Sequence, residues 1–207
     1  MLDKRRNLTT SKVFYNVLVM EIKHKYFKIY KPYGYLSQFI NNQNKRRNKK
    51  LLSELHHFPK ETMAVGRLDE KSEGLLLLTT DGKFSNYITS SKIEKEYHVM
   101  VDGIISKEII DTLKNGIEIS INGKPYITKP CKASPLKDIS HIQKRFVRDE
   151  KHGDTSWLSI TLTEGKFRQV RKMTAKVGFP TLRLVRVRIG GYKLGSMKAS
   201  EIEVINY

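Results

Sequence analysis

One cysteine, Cys131, is all that the 207-residue chain contains. That excludes an internal disulfide and fits a reducing compartment, so a cytoplasmic location is expected. No histidine pattern accompanies Cys131, which reads as a small core residue rather than a nucleophile. The histidines, His24, His56, His57, His98, His141 and His152, show no metal-ligand spacing, and the adjacent pair His56–His57 fits a solvated loop. No run reaches the roughly 18 apolar residues that cross a bilayer. Glycine-rich phosphate loops of the Walker or dinucleotide type are missing, as is any Ser–His–Asp signal, so neither a metal nor a cofactor is expected. Acid is scarce as well. Asp and Glu total 21 against 39 Lys and Arg, a net charge of +18 with a pI near 9.9. Such an excess points to a polyanionic partner, nucleic acid first and an anionic membrane surface second, with a generally basic proteome as the plain alternative.

What is present suffices for a real core, in one large domain or two small lobes. The stretch "DKRRNLTTSK" ahead of "VFYNVLVM" has the outline of a signal peptide. However, Asn16 interrupts the run, no small-residue cleavage site follows, and "EIKHK" comes next. Residues 1–25 therefore read as a basic arm, either loosely attached or upstream of a natural start at Met20. The polar run "NNQNKRRNKK" (41–50) is a solvated loop that could contact phosphates.

Strands are expected at "YFKIYK", broken by Pro32 and Gly34, and at "GLLLLTT" (74–80), whose length and bounding turns fit a strand buried on both faces. A further strand is "KEYHVMVDG", with Tyr97, Val99 and Val101 on one side. "SKEIIDTLKNG" predicts a helix with Ser106 as N-cap and Gly116 as stop. A hairpin turns at Asn122-Gly123, and "SWLSITLTEG" and "TLRLVRVRIGGY" alternate as strands. "LLSELHHF" predicts a short helix, Asp81-Gly82 a turn, and 134–155 a surface loop or insertion. The helix expected from Lys166 carries Phe167, Val170, Met173 and Val177 on one face and Arg168, Lys172 and Lys176 on another. The class is α+β with a mixed or antiparallel sheet.

The informative charges are those beside apolar structure. In "GRLDEKSEG" (66–74), Arg67 and Asp69 flank Leu68 just ahead of four leucines. In an extended segment they project to one side, although a solvated turn fits the spacing equally well. Arg171 borders the apolar face of its helix, where it either snorkels to water or leans inward to a carboxylate, Asp69 or Glu164. A partly buried Asp–Arg pair would keep the aspartate ionised as a nucleophile or base. Tyr97 is core packing or, in so basic a chain, a surface for stacking on a nucleobase.

The segments "KPYG" (31–34), "GRLDEKSEGLLLLTTDG" (66–82), "KEYHV" (95–99) and "EGKFRQVRKM" (164–173), in this order, resemble the pseudouridine synthases of the RsuA/RluB/E/F group. "TSWLSITLTEG" and "GFPTLRLVR" are most similar to its large-subunit (23S) rRNA pseudouridine synthase E branch. The resemblance runs from about Phe27 to the C-terminus. It implies one catalytic domain over 26–207 with a central mixed, mainly antiparallel sheet, two sublobes with the active-site cleft between them, and no S4 RNA-binding domain. It further implies a monomer that isomerises a uridine of rRNA, 23S foremost, by base flipping, without cofactor or membrane. Matched by position, Asp69 is the essential aspartate, as nucleophile on the sugar or base at C2′, Arg171 its ion-pair partner, and Tyr97 the ring against the uracil. Arg67 fills the space of the flipped base. Lys31, Arg168, Lys172 and Leu184 complete the RNA-binding set, Lys31 by shaping the loop beside the site and Leu184 by packing under the base. Ser72 stands where threonine is common, and Lys172 where arginine is. The readings set against this are a non-catalytic RNA-binding or ribosome-assembly protein, and a synthase acting on another RNA.

Overall fold

The computed structural model describes residues 24–40 and 48–207, apart from the Glu150 side chain. Residues 1–23 of the expected 1–25 arm and most of the basic run, 41–47, lie outside the described residues. In chain order the elements are β1 (Tyr26–Lys31), β2 (Met63–Val65), β3 (Glu73–Thr79), α1 (Gly82–Thr89), β4 (Lys95–Asp102), α2 (Lys107–Lys114) and β5 (Glu118–Ile121). There follow β6 (Lys124–Ile127), β7 (Lys132–Pro135), β8 (Thr155–Leu162), α3 (Gln169–Lys176), β9 (Thr181–Ile189), β10 (Tyr192–Lys193) and β11 (Ile202–Val204).

The main sheet runs β11-β1-β3-β9-β4-β8-β7, with β2 added on β3 and β10 on β9, while β5 and β6 form a separate hairpin. Among the described strands every pairing is antiparallel except β3 with β9. That parallel junction is two residue pairs long, Glu73↔Val185 and Gly74↔Arg186. Two sublobes meet across it, one built on β1 and β3, the other on β9, β4 and β8. The backbones approach so closely there that a Cβ on Gly74, itself at φ +101°, would lie 2.4 Å from the Arg186 carbonyl oxygen. Only glycine fits such a position.

All seven residues of β3 are buried, as expected for a strand covered on both faces. Leu75 and Leu77 pack with Phe84, Ile88, Val185 and Ile189, and Leu76 and Leu78 with Phe27, Ile29 and Leu52. Each buried leucine contributes roughly 2 kcal/mol. A third cluster, with Val99, Val101, Leu113, Leu158, Ile160, Met173 and Leu184, fills the second sublobe. Glu73, inside this apolar strand, is compensated at the junction itself. Its carboxylate accepts Arg183 Nε at 2.8 Å and Nη2 at 3.0 Å, with Arg145 Nε at 3.1 Å.

Local expectations fared unevenly. Ser106 does cap α2, and Asn122-Gly123 turns the β5–β6 hairpin, both residues at positive φ. Asp81 is not a simple turn residue but the N-cap of the unexpected α1, accepting Lys83 N at 2.8 Å and Tyr26 OH at 3.0 Å. The short helix near residue 52 is a single 3-10 turn, Leu52–Glu54. The segment 136–154 is largely irregular yet anchored: Ile142 is buried, and Arg148 reaches Asp102 at 2.6 Å.

Candidate active site

The segment Arg67–Asp69 runs between β2 and β3 and is cradled by the loop after β1. Ser37 Oγ donates to the Leu68 carbonyl at 2.9 Å and accepts its N–H at 3.0 Å, and Gly34 N donates to the Glu70 carbonyl at 2.8 Å. Leu68 is buried by these contacts, while Arg67 is exposed and Asp69 partly so. The alternation expected of an extended segment therefore holds. A turn follows, closed by Ser72 N donating to the Asp69 carbonyl at 3.0 Å.

Asp69 opens onto a cleft of about 90 Å³ lined by Arg67, Tyr97, Leu162, Arg168 and Leu184, among others. Tyr97 and Leu184 come from β4 and β9, and a register shift between Glu96 and Tyr97 interrupts the β4–β9 ladder beside them. Bulges of this kind re-aim side chains. The far wall is the loop from Glu164 to Arg168. Glu164 is held by Tyr126 OH at 2.5 Å, Lys129 N at 2.9 Å and Gln169 Nε2 at 2.6 Å. Burial alone would raise its pKa, but these donors prevail and hold the carboxyl below its ordinary range.

The partner of Asp69 is Arg168, whose Nη1 lies 3.3 Å from Oδ2, and not Arg171. The reason is where the helix starts. α3 begins at Gln169 rather than Lys166, because Arg168 adopts a left-handed conformation (φ +52°) and Gln169 closes the turn with its side chain on Lys166 N at 3.0 Å. Arg168 thus leaves the expected basic face and reaches over the cleft, and Phe167 is exposed instead of joining the apolar stripe. Such a conformation costs on the order of 1 kcal/mol or more in a non-glycine residue and is commonest at functional sites.

Arg171 does lean inward, but onto backbone and a hydroxyl. Nη2 donates to the Lys71 carbonyl at 2.6 Å and to Ser72 Oγ at 3.3 Å, and Nη1 donates to the Thr181 carbonyl at 3.3 Å. Its Nε is buried without a partner, and burial lowers the guanidinium pKa, with the charge of Asp69 acting in the opposite direction. Glu164 is saturated by its own donors and is not the partner either.

Lys31 ends β1 at the loop that follows it. It is fully buried, with Nζ donating to the carbonyls of Pro32 at 2.9 Å and Tyr35 at 2.7 Å, and burial lowers its pKa to about 7. It supports the loop from inside. Lys172 Nζ donates to the Ser120 carbonyl at 2.7 Å, tying α3 to β5 outside the cleft. Gln169, which fixes the far wall, was missed because its buried amide carries no sequence pattern. Among the described residues there is no group of three or more potential metal ligands, and no helix long and apolar enough to cross a membrane.

Fold and cleft together define a basic α+β protein with a carboxylate, a tyrosine and arginines around an opening where two sublobes join. The RNA pseudouridylate synthase family matches residues 25–176, a span that includes the Asp69 turn, Tyr97 and α3. The ribosomal large subunit pseudouridine synthase E of Xanthomonas axonopodis pv. citri is 41% identical over 171 residues, covering 81% of this chain and 86% of that protein. The corresponding protein of Vibrio parahaemolyticus is 40% identical over 176 residues, 83% of this chain and 69% of that one. A crystal structure of a pseudouridylate synthase aligns with a TM-score of 0.70 at 26% identity, covering 89% of this chain and 71% of that one. The chain belongs to the RNA pseudouridylate synthase family and is an enzyme of that class.

Proposed function

We propose that the chain converts a specific uridine of large-subunit (23S) ribosomal RNA to pseudouridine, as a cytoplasmic monomer that needs neither cofactor nor metal. The relatives carrying the name ribosomal large subunit pseudouridine synthase E support the substrate, as does the charge of +18. The observation that carries the chemistry is the Asp69 carboxylate at the mouth of a cleft walled by Tyr97 and Leu184.

In this reading Arg67, exposed at the lip, takes the space of the extruded base, and the uracil enters the cleft to stack on Tyr97 over Leu184. Asp69 starts the reaction, either by attacking C1′ or by taking a proton from C2′. The N1–C1′ bond breaks, the uracil turns while bound, and C5 bonds to C1′ as the Asp69–C1′ bond breaks on the first route or as the proton returns to C2′ on the second. The C5 proton then leaves with help from Tyr97, and N1 gains one, so the product has the composition of the substrate. Arg168 holds the Asp69 carboxylate, and Arg171 positions it through the backbone of the 69–72 turn. Lys172 contributes positive charge beside the RNA path, and Lys31 supports the loop beneath.

Release of tritium from rRNA fragments carrying 5-³H-uridine tests the assignment. Wild type releases label and Asp69→Asn does not. Turnover surviving in Asp69→Asn would remove Asp69 from the chemistry.

A further inference from the structure

Next to the cleft lies a second cavity of about 180 Å³, and Arg67, Tyr97 and Gly165 line both. Its wall presents Arg67, Lys95 and Arg186, and no carboxylate. Arg186 is the unusual member. It is 5% exposed, its Nε donates to the Leu75 carbonyl at 2.8 Å, and its Nη2 is buried with no partner. The neighbouring arginines of β9 are all compensated: Arg183 by Glu73, Arg188 by Glu94 and Glu96. Among the described residues Arg186 has no such ion pair, although an unpaired buried charge is strongly disfavoured. Lys95 adds to the imbalance, since among the described residues its Nζ donates to the Ser90 carbonyl alone, at 3.0 Å. Burial, and then the charge of Arg186, push the Lys95 pKa down. A cavity with three cations and an unused guanidinium N–H is short of one anion.

We propose that this cavity binds a phosphodiester of the RNA strand adjacent to the uridine held in the cleft, with Arg186 Nη2 and Lys95 Nζ as donors and Arg67 left at the lip between the two cavities. The inference rests on the RNA-modifying reading above. Shared walls favour a phosphodiester over a free anion, because a group bound beyond Tyr97 is a direct neighbour of the base in front of it. The guanidinium supplies directional donors and the lysine a point charge. Clamping the strand there would fix the sugar between the two cavities against Asp69.

Binding is measured by fluorescence anisotropy with a 23S rRNA fragment that carries a neutral methylphosphonate at each phosphodiester in turn. Lys95→Gln is the main variant, since Lys95 is the first residue of β4 and its loss leaves Arg186 in place. It should weaken binding about tenfold and lower the salt slope by roughly one phosphate. One methylphosphonate should weaken wild type by a similar factor and add nothing in Lys95→Gln. Arg186→Lys, if its melting temperature is retained, should be sensitive to the same position. Unchanged binding by Lys95→Gln, or no methylphosphonate that couples to it, overturns the proposal. If Lys95→Gln instead abolishes competition by inorganic phosphate without coupling to any RNA position, the cavity takes a free anion and the RNA assignment is wrong. Anisotropy reads binding whether or not pseudouridine forms, so a lack of turnover in wild type counts against the proposed function alone.

Discussion

Replacing Arg171 with alanine removes three hydrogen bonds, to Lys71 O at 2.6 Å, Ser72 Oγ at 3.3 Å and Thr181 O at 3.3 Å. Bonds to a charged donor contribute about 1.5–3 kcal/mol each, with the short one at the upper end and the two long ones well below. Against this, the variant relieves the desolvation of a partly buried guanidinium whose Nε is unpartnered. The net loss should be about 2 kcal/mol, or roughly 4–8 °C in melting temperature for a chain of this size. The larger effect falls on chemistry. Those bonds fix the turn in which Ser72 N holds the Asp69 carbonyl, and a misplacement of about 1 Å can cost about 100-fold in rate. Arg171→Lys separates position from charge, because an ammonium keeps the field at Asp69 but cannot span both Lys71 and Thr181. Single-turnover tritium release should therefore stay about 100-fold down in Arg171→Lys, with melting intermediate. Arg168→Ala, which loses a half-exposed pair, should melt within a degree or two of wild type. Full activity in Arg171→Lys would show that charge alone matters. Unchanged melting and rate in Arg171→Ala would refute the positioning role.

Two further predictions concern the junction and the loop beneath the site. Arg183→Met strands Glu73, whose side chain is 4% exposed, with Arg145 as its remaining cation, and should cost about 3 kcal/mol in urea unfolding. Arg183→Met combined with Glu73→Gln should recover part of that, and equal stability of Arg183→Met and wild type would contradict a structural pair. Lys31 has its pKa lowered from 10.5 to about 7 in the folded chain. The unfolded state thus binds more protons between those values, and stability contributed by this group rises with pH. The penalty is full below about pH 7 and gone above about 10.5, a gain of roughly 3–4 kcal/mol from pH 7 to 10. Lys31→Met should flatten that rise in a series of melts, and parallel profiles for the two proteins would show that Lys31 is neutralised some other way.

Much of the architecture is legible in local pattern. The four leucines of β3, the alternation in β4 and β8, the Ser106 cap and the Asn122-Gly123 turn each reflect short-range physics that a few neighbouring residues decide. The α1 helix is less visible, because its N-cap Asp81 is followed by glycine and also spells a turn. At the site, the position of Arg67 and Asp69 beside a buried strand is a one-dimensional feature, and so is the co-occurrence of the four family segments.

Pairing is a different matter. Whether Asp69 meets Arg168 or Arg171 depends on a left-handed residue that shortens α3, and on which side of the 69–72 turn each guanidinium arrives. Nothing in the spacing of "KFRQVRK" encodes that choice. Lys31 reads as a residue that shapes its loop, but its burial and the two carbonyls that its Nζ meets appear only in the fold. Arg186 and Arg188 read alike as the basic end of one strand face, yet Arg188 is matched by Glu94 and Glu96 while Arg186 keeps an unused N–H beside a cavity. The sequence by itself determined the class of chemistry, through residue types fixed at short range. Tertiary structure alone decided which charges are paired, because a charge is compensated by whatever approaches within a few ångströms, and those partners lie about a hundred residues away along the chain.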